Sequence, residues 1–167
     1  MEDRRLGKPE LETLRTQLVV TMHASTYDHR PLMPERVKAM FPHMLDDEQL
    51  WYSRFKVAIT QVLHPARILE IGVGWGVSAN AFYHGFPSAH FVGIDNCDMG
   101  VHPSEVLPFV TQNWAVKSTD DIPSFLEYCN PIDLIHIDGG HGYDQKTRDI
   151  VKALEARPEW LLVDDAH

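Results

Sequence analysis

Two hydrophobic periods divide this chain. Trp51, Phe55, Ala58, Ile59 and Val62 recur at helical spacing, and Asp46 followed by Gln49 has the form of a capping box, so the pattern predicts an amphipathic helix over about 46–63, ended by His64-Pro65. From Arg67 the pattern shortens. Apolar runs at Ile68 to Ile71, Phe91 to Ile94, Trp114 to Val116, Ile132 to Ile137 and Trp160 to Val163 read as five strands. Between them, Val77 to His84 closed by Gly85, Asp121 to Cys129, and Tyr143 to Arg157 closed by Pro158 read as helices. In the last of these Tyr143, Thr147, Ile150, Val151 and Leu154 share one face. Strands this apolar are covered on both sides. The expectation is therefore α/β: a Rossmann-like parallel sheet of five strands with helices on both faces. Residues 1–45, with Pro9, Pro31, Pro34 and Pro42, read as an N-terminal helical and loop segment ahead of a single domain over 46–167. The long connection Asn96 to Pro108 is the one stretch inside the sheet region where loop length suggests function.

Composition narrows the function classes. Fifteen basic against twenty-four acidic side chains give a net charge of −9, which repels polyphosphate and anionic lipid and argues against nucleic acid or a membrane as partner. Cys97 and Cys129 are the only thiols, too few for a disulfide framework, and a reducing, cytoplasmic setting is expected. The first residues lack the apolar core of a secretory signal, and no run approaches the roughly 18 apolar residues of a membrane span.

Candidate chemistry begins after the first strand. Gly72, Gly74 and Gly76 alternate between a strand and a helix, where glycine permits positive φ and lets a ligand lie against bare backbone. A GxGxxG dinucleotide site needs its third glycine where this chain has Val77, which counts against a nicotinamide oxidoreductase. Asp95 ends the second strand, where a carboxylate can accept hydrogen bonds from ribose hydroxyls. A ligand-free tight turn, and a loop cap for Asp95, are the plainer readings.

The run Glu70-x-Gly-x-Gly-x-Gly76 followed by Gly93-Ile-Asp95 resembles motif I and the acidic second-strand end of class I S-adenosylmethionine (SAM)-dependent methyltransferases. The resemblance implies that Gly72, Gly74 and Gly76 line the cofactor, that Glu70 lies near its methionyl ammonium and that Asp95 holds its ribose. Ser118 or Asp120, after the third strand, would face the adenine, with a helix N-cap as the alternative for the aspartate.

A second group sits at the later strand ends. Asp138 lies in Asp138-Gly-Gly-His141-Gly-Tyr143, and Asp164-Asp165 follows 26 residues after Asp138, one βαβ step, so the carboxylates emerge together at the sheet's carboxyl edge. Crowded carboxylates need a cation, and oxygen ligands suit Mg²⁺ or another hard divalent ion. The segment resembles the metal-dependent small-molecule O-methyltransferases of the macrocin and novobiocin type, which implies Asp138, Asp164 and Asp165 as metal ligands. His141 reads equally as a helix cap or, beside Asp138 in the catalytic role, as a general base or a contact to cofactor or substrate. His136 reads as a core histidine before a ligand, Asp149 as a solvated or ion-paired side chain, and Trp75 as a core residue that could also touch the cofactor.

Together these features point to methyl transfer from SAM to an oxygen of a small molecule, a vicinal diol or catechol-like acceptor suiting a chelating ion. A SAM-binding protein without transfer activity is the alternative, ahead of the oxidoreductase. Class I sheets continue past the fifth strand, whereas this sequence stops at His167. The expectation is that it belongs to a longer protein or that a second copy covers the fifth strand, giving a homo-oligomer.

Overall fold

A computed structural model describes residues 6–95, 115–116, 131–139 and 142–164, with backbone alone at 115–116. Five parallel strands form one sheet: β1 (Arg67–Ile71), β2 (His90–Asp95), β3 (Ala115–Val116), β4 (Leu134–Ile137) and β5 (Trp160–Val163), in spatial order β3-β2-β1-β4-β5. Strand order reverses between β1 and β4, the crevice where open parallel sheets bind ligands. The pairing sets Glu70 opposite His136 on one side and Gly93 on the other.

Alternation across the sheet explains why the strands read as continuously apolar. Leu69, Ile71, Val92, Ile94, Ile135 and Ile137 face one layer, which includes Ala153 and Ile150 of a helix, α5 (Tyr143–Glu155). Ile68, Leu134, Trp160 and Leu162 face the other, where Ile59 and Phe82 cover them. Ile59 belongs to α3 (Asp47–Leu63) and Phe82 to α4 (Val77–Gly85). The N-terminal segment consists of α1 (Lys8–Ala24), a 3₁₀ turn at Arg30–Leu32, α2 (Glu35–Met40) and a second 3₁₀ turn at Pro42–Leu45. Its Met33 and Val37 are buried together with Val73 and Trp75 of the glycine loop, and the Phe41 ring packs, tilted by 52°, with its centroid 5.4 Å from that of Trp75. Trp75 is thus a core residue, and the segment braces the loop from behind.

The capping box and the extent of the buried helix faces differ from expectation, while α3 ends where it was expected to. Asp46 is the N-cap of α3 but makes no side-chain capping bond, so the box with Gln49 does not form; Asp47 and Glu48 in the first turn still complement the helix dipole. The helix ends on His64 in the left-handed region, φ 48°, because Pro65 disfavours a helical residue before it. The buried face of α3 is wider than the one expected: Ala58 and Ile59 are buried as the spacing predicts, Leu50, Ser53, Lys56, Val57 and Thr60 are buried as well, and Trp51 is exposed. Helices α1 and α4 both pack on α3, so one apolar stripe does not define its interior. The same happens in α5, where Lys146, Asp149 and Ala153 are buried and Tyr143 is 81% exposed. The predicted helix 121–129, Trp114 and the connection 96–108 lie outside the described residues.

Candidate functional site

The glycine loop follows β1 directly, and all three of its glycines adopt positive φ: 87° at Gly72, 50° at Gly74 and 74° at Gly76. At Gly72 the requirement is also one of space, since a Cβ there would stand 2.5 Å from Gly139 Cα and 2.6 Å from the Asp138 carbonyl carbon. The loop after β1 and the loop after β4 therefore touch backbone to backbone. Gly72 N–H donates to the Ile94 carbonyl at 2.7 Å and Gly74 N–H donates to Asp95 Oδ2 at 2.6 Å, tying the loop to the end of β2. Asp95 and the three glycines thus form one cradle at the carboxyl edge, and α4 starts at its far side with Gly76 as N-cap.

Beside this cradle runs a buried polar chain that period two assembles. Glu70 in β1, His136 in β4 and Asp164 after β5 share the parity of Ile68, Leu134 and Leu162, and all face α3. His136 Nδ1 lies 2.8 Å from Glu70 Oε1, and His136 Nε2 lies 3.2 Å from Asp164 Oδ2, off the direction of a full hydrogen bond. Lys56, projecting from α3, places its Nζ 3.1 Å from Asp164 Oδ2, 2.5 Å from Ser78 Oγ and 3.8 Å from Asp138 Oδ2, with the Tyr52 ring 4.2 Å away. Lys146 of α5 donates to the Asp164 carbonyl at 3.0 Å from the other layer.

Burial pushes the Glu70 carboxyl well above its usual range, against the pull of Lys56, and Asp138 and Asp95 add to the rise. Burial likewise holds His136 well below the ordinary imidazole value, aided by the two lysines. Both directions favour the uncharged forms of Glu70 and His136, joined through Nδ1, while the Asp164 carboxylate lies against Lys56. Glu70 turns inward onto His136 and is fully buried, because its position in β1 faces α3.

Of the other anticipated residues, Gly72, Gly74, Gly76, Asp95, Asp138 and Asp164 converge on this edge. Ser118, Asp120, His141 and Asp165 lie outside the described residues. His136 is a hydrogen-bonded core histidine, and Asp149, anticipated as solvated or ion-paired, is buried and accepts from Gln145 Nε2 at 2.9 Å. Lys56 was invisible to sequence reasoning. It stands 108 residues from Asp164 within a helix judged by its apolar positions, and an unexplained lysine on that helix was the one available signal.

Whether a divalent ion fits can be tested on these donors. His136, Asp138 and Asp164 offer ligand atoms within 4.8 Å of one another, a set able to hold a metal. Yet the Lys56 ammonium already lies against two of the three, and Asp164, at 4% exposure, spends its carboxylate on that ion pair. A cation on the same oxygens would meet a fixed positive charge in a low-dielectric interior. The described residues, as arranged, do not fit a divalent ion.

No protein-family model matches the chain, and no curated protein matches it significantly. Solved structures do. The Podospora anserina methyltransferase PaMTH1, crystallised with SAH, superposes with a TM-score of 0.56 at 16% identity over 98% of this chain and 73% of its own. TomG, an O-methyltransferase of Streptomyces achromogenes involved in tomaymycin synthesis and solved with SAM, gives 0.57 at 17% identity, covering 88% and 69%. MycE, the mycinamycin-pathway methyltransferase solved with Mg and SAH, gives 0.50 at 18%, covering 98% and 45%. The chain has the Rossmann-like fold of class I methyltransferases.

Proposed function

We propose that this protein transfers a methyl group from SAM to an oxygen atom of a small molecule. The observation that carries the reading is the bond from Gly74 N–H to Asp95 Oδ2, which locks a positive-φ glycine loop to the carboxylate ending β2 at the switch point of the sheet. A nucleoside cofactor fits this cradle, since the bare backbone of Gly72, Gly74 and Gly76 admits close approach. A carboxylate also has lone pairs enough to keep Gly74 and still accept from ribose hydroxyls. When bound, SAM supplies an electrophilic sulfonium methyl.

The chain's own residues supply placement and proton transfer. The Gly72–Gly139 contact fixes the cofactor loop against the loop carrying Asp138, so donor and acceptor sites share one rigid edge. Holding reactants in near-attack geometry is worth on the order of 7–11 kcal/mol. Asp138, with its side chain 30% exposed beside the buried Lys56, is placed to take the proton of an acceptor hydroxyl as the oxygen is methylated. A net charge of −9 supports a small acceptor over a polyphosphate.

Calorimetric titration with SAM tests the reading. Wild type is expected to bind, and Asp95→Ala to bind about 30- to 150-fold more weakly, the equivalent of roughly 2–3 kcal/mol for hydrogen bonds to a charged group. Equal affinities would remove Asp95 from the site, and absence of heat with wild type would remove the cofactor. Binding without turnover on any hydroxyl acceptor would leave a SAM-binding protein that does not transfer.

A further inference from the structure

The Asp138–Asp164–His136 cluster has the donors of a cation site and lies where the acceptor is proposed to bind, yet a lysine from another layer reaches into it. We infer that the Lys56 ammonium is the resident cation of this cluster, and that a divalent ion enters only when that ammonium is removed.

Four observations converge. The Lys56 side chain is 3% exposed, so its charge has left water and depends on local partners. Those partners surround it: Asp164 Oδ2 at 3.1 Å, Ser78 Oγ at 2.5 Å, Asp138 Oδ2 at 3.8 Å and the Tyr52 ring at 4.2 Å. The group is therefore held by α3, by α4 and by two strand ends at once, which fixes its position as ligation would fix an ion. Asp164 is turned toward protein on both faces of the sheet, since Lys146 donates to its carbonyl from the opposite layer. Finally, His136 is committed through Nδ1 to Glu70, so only Nε2 faces the cluster. Remove the ammonium and what remains is one imidazole nitrogen and two carboxylates, with ligand atoms within 4.8 Å of one another. A mixed nitrogen and oxygen set of this kind takes Mn²⁺, Co²⁺ or Zn²⁺ more readily than Mg²⁺.

In the proposed reaction Lys56 then does by electrostatics part of what a chelated metal would do, steadying negative charge at Asp138 and beside it. The inference itself rests on the cluster's geometry and is read without cofactor, so its failure and the failure of the methyl-transfer reading are separate results.

The experiment titrates Mn²⁺ into the full chain, followed by calorimetry and by loss of the free-ion electron paramagnetic resonance signal. Wild type is expected to show no saturable binding up to about millimolar ion, and Lys56→Met to bind one ion per chain at least about tenfold more tightly. Thermal unfolding gives an independent readout. At about a hundredfold excess over its Kd, Mn²⁺ should raise the melting temperature of Lys56→Met by roughly 5 °C or more and leave wild type unchanged. Adding Asp138→Asn to Lys56→Met should abolish both effects. One Mn²⁺ bound by wild type and lost in Asp138→Asn would overturn the inference, as would a folded Lys56→Met that ignores the ion. Should Lys56→Met be unfolded with and without Mn²⁺, Lys56→Gln, which fills similar space and can keep the Ser78 contact, carries the same two outcomes.

Discussion

Glu70 and His136 touch through a single hydrogen bond of 2.8 Å, and at this scale their protonation has a measurable consequence. Burial raises the Glu70 pKa well above 4.5, so the neutral acid contributes stability that is fully present below 4.5 and is lost as pH climbs through the raised value. His136 is shifted the other way, and its contribution is present above 6.5 and lost as pH falls through the lowered value. Glu70→Gln keeps a hydrogen-bonding group toward His136 Nδ1 and cannot ionise. Melting temperatures measured across pH should therefore show the variant gaining on wild type as pH rises above 4.5, with the gap levelling once wild-type Glu70 has titrated. Parallel curves would mean that Glu70 is already ionised in the folded chain. Gly72 offers a steric counterpart. Gly72→Ala combines a φ of 87° with a collision against Gly139, and about 2–4 kcal/mol of lost stability is expected in denaturant unfolding. A loss under about 0.5 kcal/mol would show that the two loops move apart freely.

Elements meet at this site because helix α3 is buried on more than one side. Three of its polar residues point inward to partners on other elements. Ser53 Oγ lies 3.0 Å from the Nδ1 of the buried His29, Thr60 Oγ1 donates to the Phe82 carbonyl at 3.2 Å, and Lys56 reaches Asp164. A buried polar group costs stability unless it is hydrogen-bonded, so these three are placed where such partners exist. The crossing of α3 with α4 is close for a related reason. At Gly85 a Cβ would stand 2.5 Å from the Val57 carbonyl oxygen, and the absence of one lets α4 approach near enough to bring Ser78 to Lys56.

At the scale of the whole molecule, β5 is an outer strand among the described residues, with β4 on its inner side. Its apolar residues Trp160 to Val163 are half-buried, and Trp160 lines an apolar groove of about 370 Å³ with Leu6, Pro9 and Leu14 from α1 and the residues before it. A strand edge with such a neighbour favours pairing between copies. Self-association through β5 and α1 is therefore proposed, and light scattering at micromolar concentration should report a mass above 19.1 kDa. Trp160→Lys should shift that mass toward the monomer; a monomeric wild type would retire the proposal. Among the described residues no helix is long and apolar enough to cross a membrane.

The order of the described strands and helices after residue 46, the position of the glycine loop and the convergence of Asp95, Asp138 and Asp164 on one sheet edge were determined by the sequence alone. Period two against helical period, together with glycine between a strand and a helix, are local signals, and parallel βαβ connectivity turns them into a shared edge. Tertiary structure alone decided which polar positions of α3 and α5 are buried beside their apolar ones, because those side chains find partners far away in the chain. It also decided the character of the acidic cluster. Asp138 and Asp164 announce a need for positive charge, but whether a metal or a side chain meets it depends on an ammonium delivered across 108 residues by the packing of α3. Periodicity reports which positions are apolar, whereas a buried charge is chosen by its partners, and those exist only once the layers have closed.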